Sequence, residues 1–530
     1  MNIRLSEILE TNADTDFGRR YHFAEITSEE EYRSIVPLSV YADYEKLIKL
    51  KTRIGEKKIL AGDPTIAYAL SSGASGEPRL IPFTKDHADA YIRALSSYSR
   101  IGGSTLFLFE SMPRTLRFAD QAPMDSLMGI VLDGLKKYIA DNSYRRMFKS
   151  GACTSPMSLM LTHEVMDSTY LRLLFALIDR NVQQIIAPFS WGVLEMFEYM
   201  ENHWEKLVSS IRTGTILKDG TISDDTWNEL SKDFRASPAR ADELERIFSQ
   251  GFDTPILLRI WPNFKRIVAA GTGCFKLYTR LLKRFIGDAD YTNGFYAAPE
   301  ALIGKALPDG SERYELLDSN SYVEFLPIDC EGSTVTAEEL VPGHQYEVVI
   351  TNNAGLYRYR LGDVIRCASN DCNSTTFTVE YRRGQAHSFS DENLTEADVQ
   401  SAVLAMGESL NLSIADFCFQ ADKTECCYTV YIEPSIHDKG EERMAAISAE
   451  LLNTLCEAAL MLNNPRYAQT RLNGTVNPCR VKILQPQTQL LYRDREKMRR
   501  QTAPDMFIPL RLLDEKQGKF FKLLIEQIAK

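Results

Sequence analysis

No run of about 18 apolar residues occurs in the 530-residue chain, so a membrane-crossing helix is not expected. The opening MNIRLSEILETNADTDFGRR has no apolar core of signal-peptide length, and a cytoplasmic protein with no membrane partner is the expectation. Basic residues are outnumbered, 61 Lys and Arg against 72 Asp and Glu, for a formal net charge of −11. A nucleic-acid partner would want a basic face and is not expected. An anionic small molecule would need local cations, a metal or converging backbone N–H groups.

Histidine is scarce, at seven, and none stands in HExxH or HxxxH spacing. The ten cysteines contain no CxxC pair; Cys426 and Cys427 adjoin, and Cys367 and Cys372 lie five apart. Zinc is disfavoured, and buried reduced thiols are the expected state. GxSxG is absent, no Ser-His-Asp arrangement stands out and no histidine has a marked setting, so hydrolase chemistry has little support. The GxxxxGK[ST] phosphate loop is missing too. There is no low-complexity tract and no internal repeat.

What remains is a chain of ordinary globular composition, 44% hydrophobic and 25% charged. It is too long for one core, and two or more domains are expected. Residues 1–70 read mainly as helices, with an acidic start at Ser28 and a break at Pro37. From 71 to 110 a loop, the strand-like RLIPFT, the helical KDHADAYIRALSSYSR and the apolar STLFLFE alternate, which suits a mixed α/β domain. Residues 168–213 read as helical, STYLRLLFALIDRNVQQII and then SWGVLEMFEYMENHWEKLVSSIRTG. The second carries a stripe of Leu194, Phe197, Trp204, Leu207 and Ile211, with Gly214 as its C-cap. A charged helical insert over 224–250 reads as solvated. A β-rich run follows, with Asn352-Asn353-Ala354-Gly355 as a turn between two strands. Around 384–398 a hinge precedes a helix start. Beyond it, a small α+β domain is expected, with an amphipathic helix over 441–463 that puts Met444, Ile447, Leu451, Leu455 and Ala459 on one face.

Four segments carry candidate chemistry. In SSGASGEPRLIP, from Ser71, small residues let backbone N–H groups converge on phosphate oxygens, although a plain connector has the same composition. In YAAPEALIG, Glu300 follows an apolar strand and could hold Mg²⁺ through one carboxylate oxygen, with Tyr296 against a base. A core tyrosine and a surface glutamate are the bland alternative. In AGLYRYRLGDVIRC, a Gly-Asp turn after a strand would fix the Asp363 carboxylate to accept ribose hydroxyls, or leave it exposed in a hairpin. Tyr357, Arg358, Tyr359 and Arg360 alternate, which sends one pair inward and the other outward. In FTVEYRRGQAHS, Arg382 and Arg383 precede the hinge and could grip ribose or phosphate, or form a solvated pair.

In this order and spacing the segments resemble the Gretchen Hagen (auxin-responsive promoter) family of acyl-acid-amido synthetases, within the adenylate-forming enzymes. SSGASGEPRLIPFT is similar to that family's SSGTSxGxxKxIP, FYAAPEALIG to its YxSSExxxG, and GLYRYRLGDVIR to its YRxGD. FGRRYHFAEITSEEEYRSIVPLSVYADYEKLI, SYVEFLP, LNNPRYAQTRL and NPCRVKIL extend the resemblance over nearly the whole chain. It implies a mixed α+β adenylate-forming fold: a large N-terminal domain, 1–385, of mixed sheets and helices, and a small mobile C-terminal lid, 386–530. It implies a ligase that adenylates a small carboxylic acid with Mg·ATP, releases pyrophosphate and passes the acyl group to an amino acid or other amine. A monomer is implied as well.

Carried over residue by residue, Ser72, Gly73, Ser75 and Gly76 would hold the phosphates, and Tyr296, Ala297 and Ala298 would border adenine. Glu300 would serve Mg²⁺, Asp363 the ribose hydroxyls, and Arg382 the ribose or phosphate; Glu300 and Arg382 are the catalytic candidates. The acyl acid would sit between the helices near 168–190 and the strand before Tyr296. Several positions depart from the family pattern. Ala74 replaces Thr, Arg79 replaces Lys, and Ala298-Pro299 replace Ser-Ser. At the hinge an acidic-Lys pair becomes Glu392-Asn393, and Phe507 in DMFIPLRLL takes the place of a lysine that would approach the acyl-phosphate. Lys497, Arg499 and Arg500 are the nearby cations. Two further readings stay open: an adenylating enzyme with another acceptor, and a nucleotide-binding member of the fold without turnover.

Overall fold

The computed structural model describes the chain apart from residues 56–57, 72–78, 99–101, 110–117, 119–121, 141–152, 161, 163–167, 219–221, 329–332, 372–373, 384–385, 436–446, 501–508 and 526–530. It divides into two compact units. The first takes Met1–Gly271 and Leu282–Val379. The second takes Thr272–Leu281, Glu380–Arg500 and the C-terminal residues 509–525. No described helix is long and apolar enough to cross a membrane.

Three sheets build the first unit. Strands β1 (Ala67–Ser71) and β2 (Arg79–Phe83) form an antiparallel hairpin, and β4 (Met124–Asp125) lies parallel to β1. Strands β3 (Ser104–Phe107), β5 (Val182–Phe189), β6 (Arg266–Ala270) and β7 (Asp290–Thr292) form a parallel sheet in the order β3-β5-β6-β7. The third sheet runs β11-β12-β13-β14-β10-β9-β8. Its strands are β8 (Phe295–Ala298), β9 (Ala301–Ala306), β10 (Arg313–Leu316), β11 (Ser321–Pro327), β12 (Gln345–Asn352), β13 (Tyr359–Asp371) and β14 (Ser374–Arg382).

Strand β5 departs from the helical expectation for 168–190. The helix Thr169–Ile178 stops before Asp179-Arg180-Asn181, and Val182 opens a strand paired on both edges. A central parallel strand is covered on both faces, so the near-continuous apolar run that looked helical is what that position needs. The helix Ser190–Thr213 then forms as expected, and Gly214 at φ +70° caps it by donating to the Ser210 carbonyl. The insert is less solvated than its charge suggested. Helix Asp224–Asp233 buries Leu230, and helix Pro238–Phe248 buries Ala241, Leu244 and Phe248, the last against Trp204.

The N-terminal helices are fastened to the seven-stranded sheet by a buried ion pair. Arg358 sits at φ +44°, which breaks the alternation expected of the Tyr-Arg-Tyr-Arg run. Tyr357, Tyr359 and Arg358 are all buried. The Arg358 guanidinium meets Glu324 at 3.2 Å and donates to the carbonyls of Arg33 and Val36 at 2.8 and 2.9 Å.

In the second unit, β15 (Ala386–His387) pairs with β16 (Leu394–Thr395), and β17 (Ile414–Asp422), β18 (Cys427–Pro434) and β19 (Arg480–Ile483) form a small sheet. Helix Glu396–Leu410 starts at a reciprocal cap between Thr395 and Asp398 and ends at Asn411, φ +51°. Helix Ala449–Asn463 links antiparallel β18 to its parallel neighbour β19. Its fully buried residues are Leu452, Cys456 and Leu460; of the expected face, Ile447, Leu455 and Ala459 are half-buried against the same core, and Leu451 is exposed. Met444 of that expectation lies outside the described residues. Arg511 is buried and joins the segment Thr272–Leu281 to this unit. It pairs with Asp416, donates to the Cys274 carbonyl at 3.0 Å, and lies over the rings of Phe417 and Tyr278. Tyr278 donates to the other Asp416 oxygen at 2.6 Å.

Two stability predictions follow from these buried charges. Glu324→Leu leaves Arg358 charged and uncompensated, and should cost about 3–5 kcal/mol in urea unfolding; a loss below about 1 kcal/mol would contradict the assigned role. Glu396 is raised to about 7 by burial, against the pull of Arg511 and a hydrogen bond with Cys274. A folded-state value above the ordinary carboxylate range stabilises below pH 4.5, and that contribution is lost as pH rises towards 7. Glu396→Gln should therefore gain on the native protein between pH 4.5 and 8 by up to about 3 kcal/mol. A pH-independent difference would contradict this.

Candidate active site

The turn between β8 and β9 carries the second motif, with Ala298 paired to Ala301 and Pro299-Glu300 between them. Gly304 lies opposite Tyr296, and a Cβ there would come within 2.8 Å of the Phe377 ring. Its absence lets the Tyr296 ring pack against Phe377 and Tyr314 at 5.8 and 5.9 Å. Along this strand Tyr296 and Ala298 are half-buried and Ala297 is exposed, so the face remains accessible.

Asp363 lies mid-strand in β13, not in a turn beyond a strand end. Glu347 pairs with Val364 and Val349 with Arg360, so Val348 alone faces Leu361, Gly362 and Asp363. Gly362 takes φ +89° in this bulge. Within this arrangement the Tyr296 hydroxyl donates to Asp363 Oδ2 at 2.7 Å. Second and third motifs, 67 residues apart, thus share one hydrogen bond.

Glu300 is 1% exposed, which removes the surface-glutamate alternative. Its main-chain carbonyl accepts from His87 Nε2 at 3.0 Å and from Asn352 Nδ2 at 2.8 Å. Asn352 also accepts from the amides of Ala354 and Leu356 at 3.0 and 3.1 Å, closing the expected turn around Gly355 at φ +101°. The Tyr91 hydroxyl donates to the Ala298 carbonyl. His87, buried, is lowered to about 4 by loss of solvent, with the hydrogen bond to Glu300 opposing; it is neutral at physiological pH. Burial raises the Tyr91 hydroxyl, and the nearby Glu300 carboxylate adds to that.

His87 and Tyr91 were not singled out from sequence, and Asn352 was read only as part of a turn. The available signal was the spacing of His87 and Tyr91, four apart on the inner face of helix Lys85–Ser97. Ser72, Gly73, Ser75 and Gly76, with Ala74, lie outside the described residues, as does Phe507. Strands β1 and β2 flank that loop with Ser71 paired to Arg79. Arg79 reaches the Tyr359 hydroxyl at 3.4 Å and lies over the Tyr41 ring. Arg382 ends β14 and belongs to the second unit. Glu392 is buried and accepts from Tyr428 at 2.6 Å and from the amides of Phe389 and Ser390 at 2.5 and 3.0 Å. Asn393 beside it sits at φ +42°. Arg499 pairs with Glu496 at 2.7 Å.

Family models match the chain in three consecutive parts: the GH3 family N-terminal domain over residues 3–291, the central domain over 314–382 and the C-terminal domain over 397–504. The chain belongs to the GH3 family. A jasmonoyl–L-amino acid synthetase, GH3.5, of Oryza sativa subsp. japonica is 27% identical over 518 residues, covering 91% of this chain and 87% of that protein. The probable indole-3-acetic acid-amido synthetase GH3.1 of Arabidopsis thaliana is 26% identical over 514 residues, covering 91% and 83%. In fold, the chain matches the solved GH3.15 acyl acid amido synthetase with a TM-score of 0.83 at 24% identity, covering 99% of this GH3 chain and 92% of that one.

The Tyr296–Asp363 bond is testable by itself. Tyr296→Phe removes one donor from a carboxylate and should lower stability by about 1 kcal/mol in urea unfolding; an unchanged midpoint would show that the bond contributes nothing.

Proposed function

We propose that this GH3 protein is an ATP-dependent acyl-acid amide synthetase. One observation supports the site reading: Tyr296 of the second motif donates to Asp363 of the third, 2.7 Å away, which brings an aromatic ring and a carboxylate side by side. Tyr296, Ala297 and Ala298 border adenine, and Asp363 accepts from the ribose hydroxyls. Ser72, Gly73, Ser75 and Gly76 hold the phosphates, and Arg382 takes ribose or phosphate. The N-terminal domain binds ATP and the acyl acid, and the C-terminal domain serves as a mobile lid. The protein works as a cytoplasmic monomer.

Mg²⁺ suits the donor set. Among the described residues no group of three or more His, Cys, Asp or Glu could cage a metal alone. Glu300 offers a buried carboxylate, and Mg²⁺ is held by one or two carboxylates together with substrate phosphates. Bound there by Glu300, the ion would screen phosphate charge.

The reaction has two balanced steps. A carboxylate oxygen of the acid bonds to the α-phosphorus of ATP while the bond to pyrophosphate breaks. An amine nitrogen then bonds to the acyl carbon, loses a proton, and AMP departs with the bridging oxygen. AMP is a far better leaving group than the hydroxide of a free acid, and a dry, charge-screened site protects the anhydride from water. The acid and the amine are small molecules.

Pyrophosphate release should require a carboxylic acid, and amide should form when an amine is added. Acid-dependent pyrophosphate with no amide across an amine panel would overturn the synthetase reading. Asp363→Ala should weaken ATP binding by at least about tenfold, as expected for lost charge-assisted hydrogen bonds; unchanged affinity would refute its ribose role.

A further inference from the structure

We propose that His87 is a positioning residue for the nucleotide site, fixing the Glu300 turn through its main-chain carbonyl. The inference rests on the reading of Glu300 as the Mg²⁺ ligand and adds how that ligand is held. A carbonyl only accepts, so Nε2 of His87 carries the proton in its 3.0 Å bond to Glu300. Asn352 supplies the second donor to the same oxygen at 2.8 Å, and both lone pairs are thereby used. Tyr91, one helical turn beyond His87, holds the Ala298 carbonyl. Three side chains therefore clamp the main chain on either side of Pro299, and Glu300 has a fixed origin for its carboxylate.

The ring does not behave as simple core filling. It is fully buried, and among the described residues Nδ1 has no hydrogen-bond partner. A buried polar atom left unsatisfied is costly, and a leucine or phenylalanine in its place would avoid that cost. The Nε2 contact with Glu300 is what an apolar residue could not supply. The same ring meets Phe83 edge-on, with centroids 4.9 Å apart. Phe83 ends β2, the strand leading away from the loop at 72–78. One imidazole thus ties the strand after the first motif to the turn of the second. Main-chain anchoring of this kind sets ligand direction in the way outer hydrogen bonds orient metal-bound side chains.

Three variants separate positioning from packing: His87→Leu keeps bulk and removes the donor, His87→Gln keeps a nitrogen donor at similar reach, and Tyr91→Phe removes the neighbouring donor. The readout is the calorimetric affinity for α,β-methylene-ATP with Mg²⁺ and with EDTA, together with KM for ATP and kcat. His87→Leu should weaken the Mg²⁺-nucleotide by about tenfold, the effect of one lost buried hydrogen bond. It should leave the metal-free nucleotide within about twofold and raise KM more than it lowers kcat. His87→Gln should recover most of the affinity. Equal losses in the two His87 variants, or equal weakening with and without Mg²⁺, would overturn the proposal. If His87→Leu does not fold, Tyr91→Phe decides: a Mg²⁺-selective loss supports the clamp, and none overturns it. Glu300→Gln runs alongside. Its failure to reduce Mg²⁺ dependence would sink the metal reading and this inference with it, whereas a Mg²⁺-selective loss there with a silent His87→Leu would sink the inference alone.

Discussion

The buried pair of Arg358 and Glu324 is the constraint on which the first unit depends. Two charges taken out of water must satisfy each other and their remaining hydrogen-bonding capacity. Arg358 does so by reaching the carbonyls of Arg33 and Val36, which belong to an N-terminal segment more than three hundred residues earlier, and the hydroxyl of Thr334. Tyr32 adds a bond to Thr351 on β12. The N-terminal helices are thereby held on the sheet that carries β12 and β13, and those strands contribute Asn352 and Asp363 to the candidate site. The positive φ of Arg358 is part of the arrangement, since an extended residue there would point its side chain elsewhere along the strand.

From that fixed sheet the site is assembled mostly by main-chain contacts. Gly355, Gly362 and Gly304 each permit something a side chain would block: a tight turn against Leu60, a bulge that presents Asp363, and the close approach of Phe377. Around Glu300, His87 stays neutral and Tyr91 stays protonated, so neither neighbour adds a charge of its own to the turn. A site in a chain of net charge −11 needs such local arrangement, because the molecule's overall field repels a nucleotide.

The segment between β15 and β16 shows the same economy of residues. Glu392 is a buried acceptor for Tyr428 and two amides. Its carboxyl is held below the ordinary range: burial pushes it up, and those hydrogen bonds outweigh the burial. Such a residue organises a turn and fastens it to Tyr428 on β18.

Sequence by itself determined the family and the order of the motifs, because SSGASGEPRLIP, YAAPE and YRLGD are each short, local and tied to turn chemistry. It also settled the cap at Gly214, the turn at Asn352–Gly355 and a helix start near the end of 384–398, all decided within a few neighbouring residues. It misread Val182–Phe189, since a short, mostly apolar stretch such as VQQIIAPF serves a helix or a covered parallel strand equally until its neighbours are known. On Ala449–Asn463 the expected face was right at Leu455 and Ala459, but Leu452 is buried where Leu451 was expected, since the two are equivalent until a sheet lies on one side. Only the tertiary structure decided that Arg358 is buried, that Asp363 lies in a bulge and that His87 meets Glu300 across 213 residues. Those facts depend on long-range pairing and burial, which no window of local sequence contains.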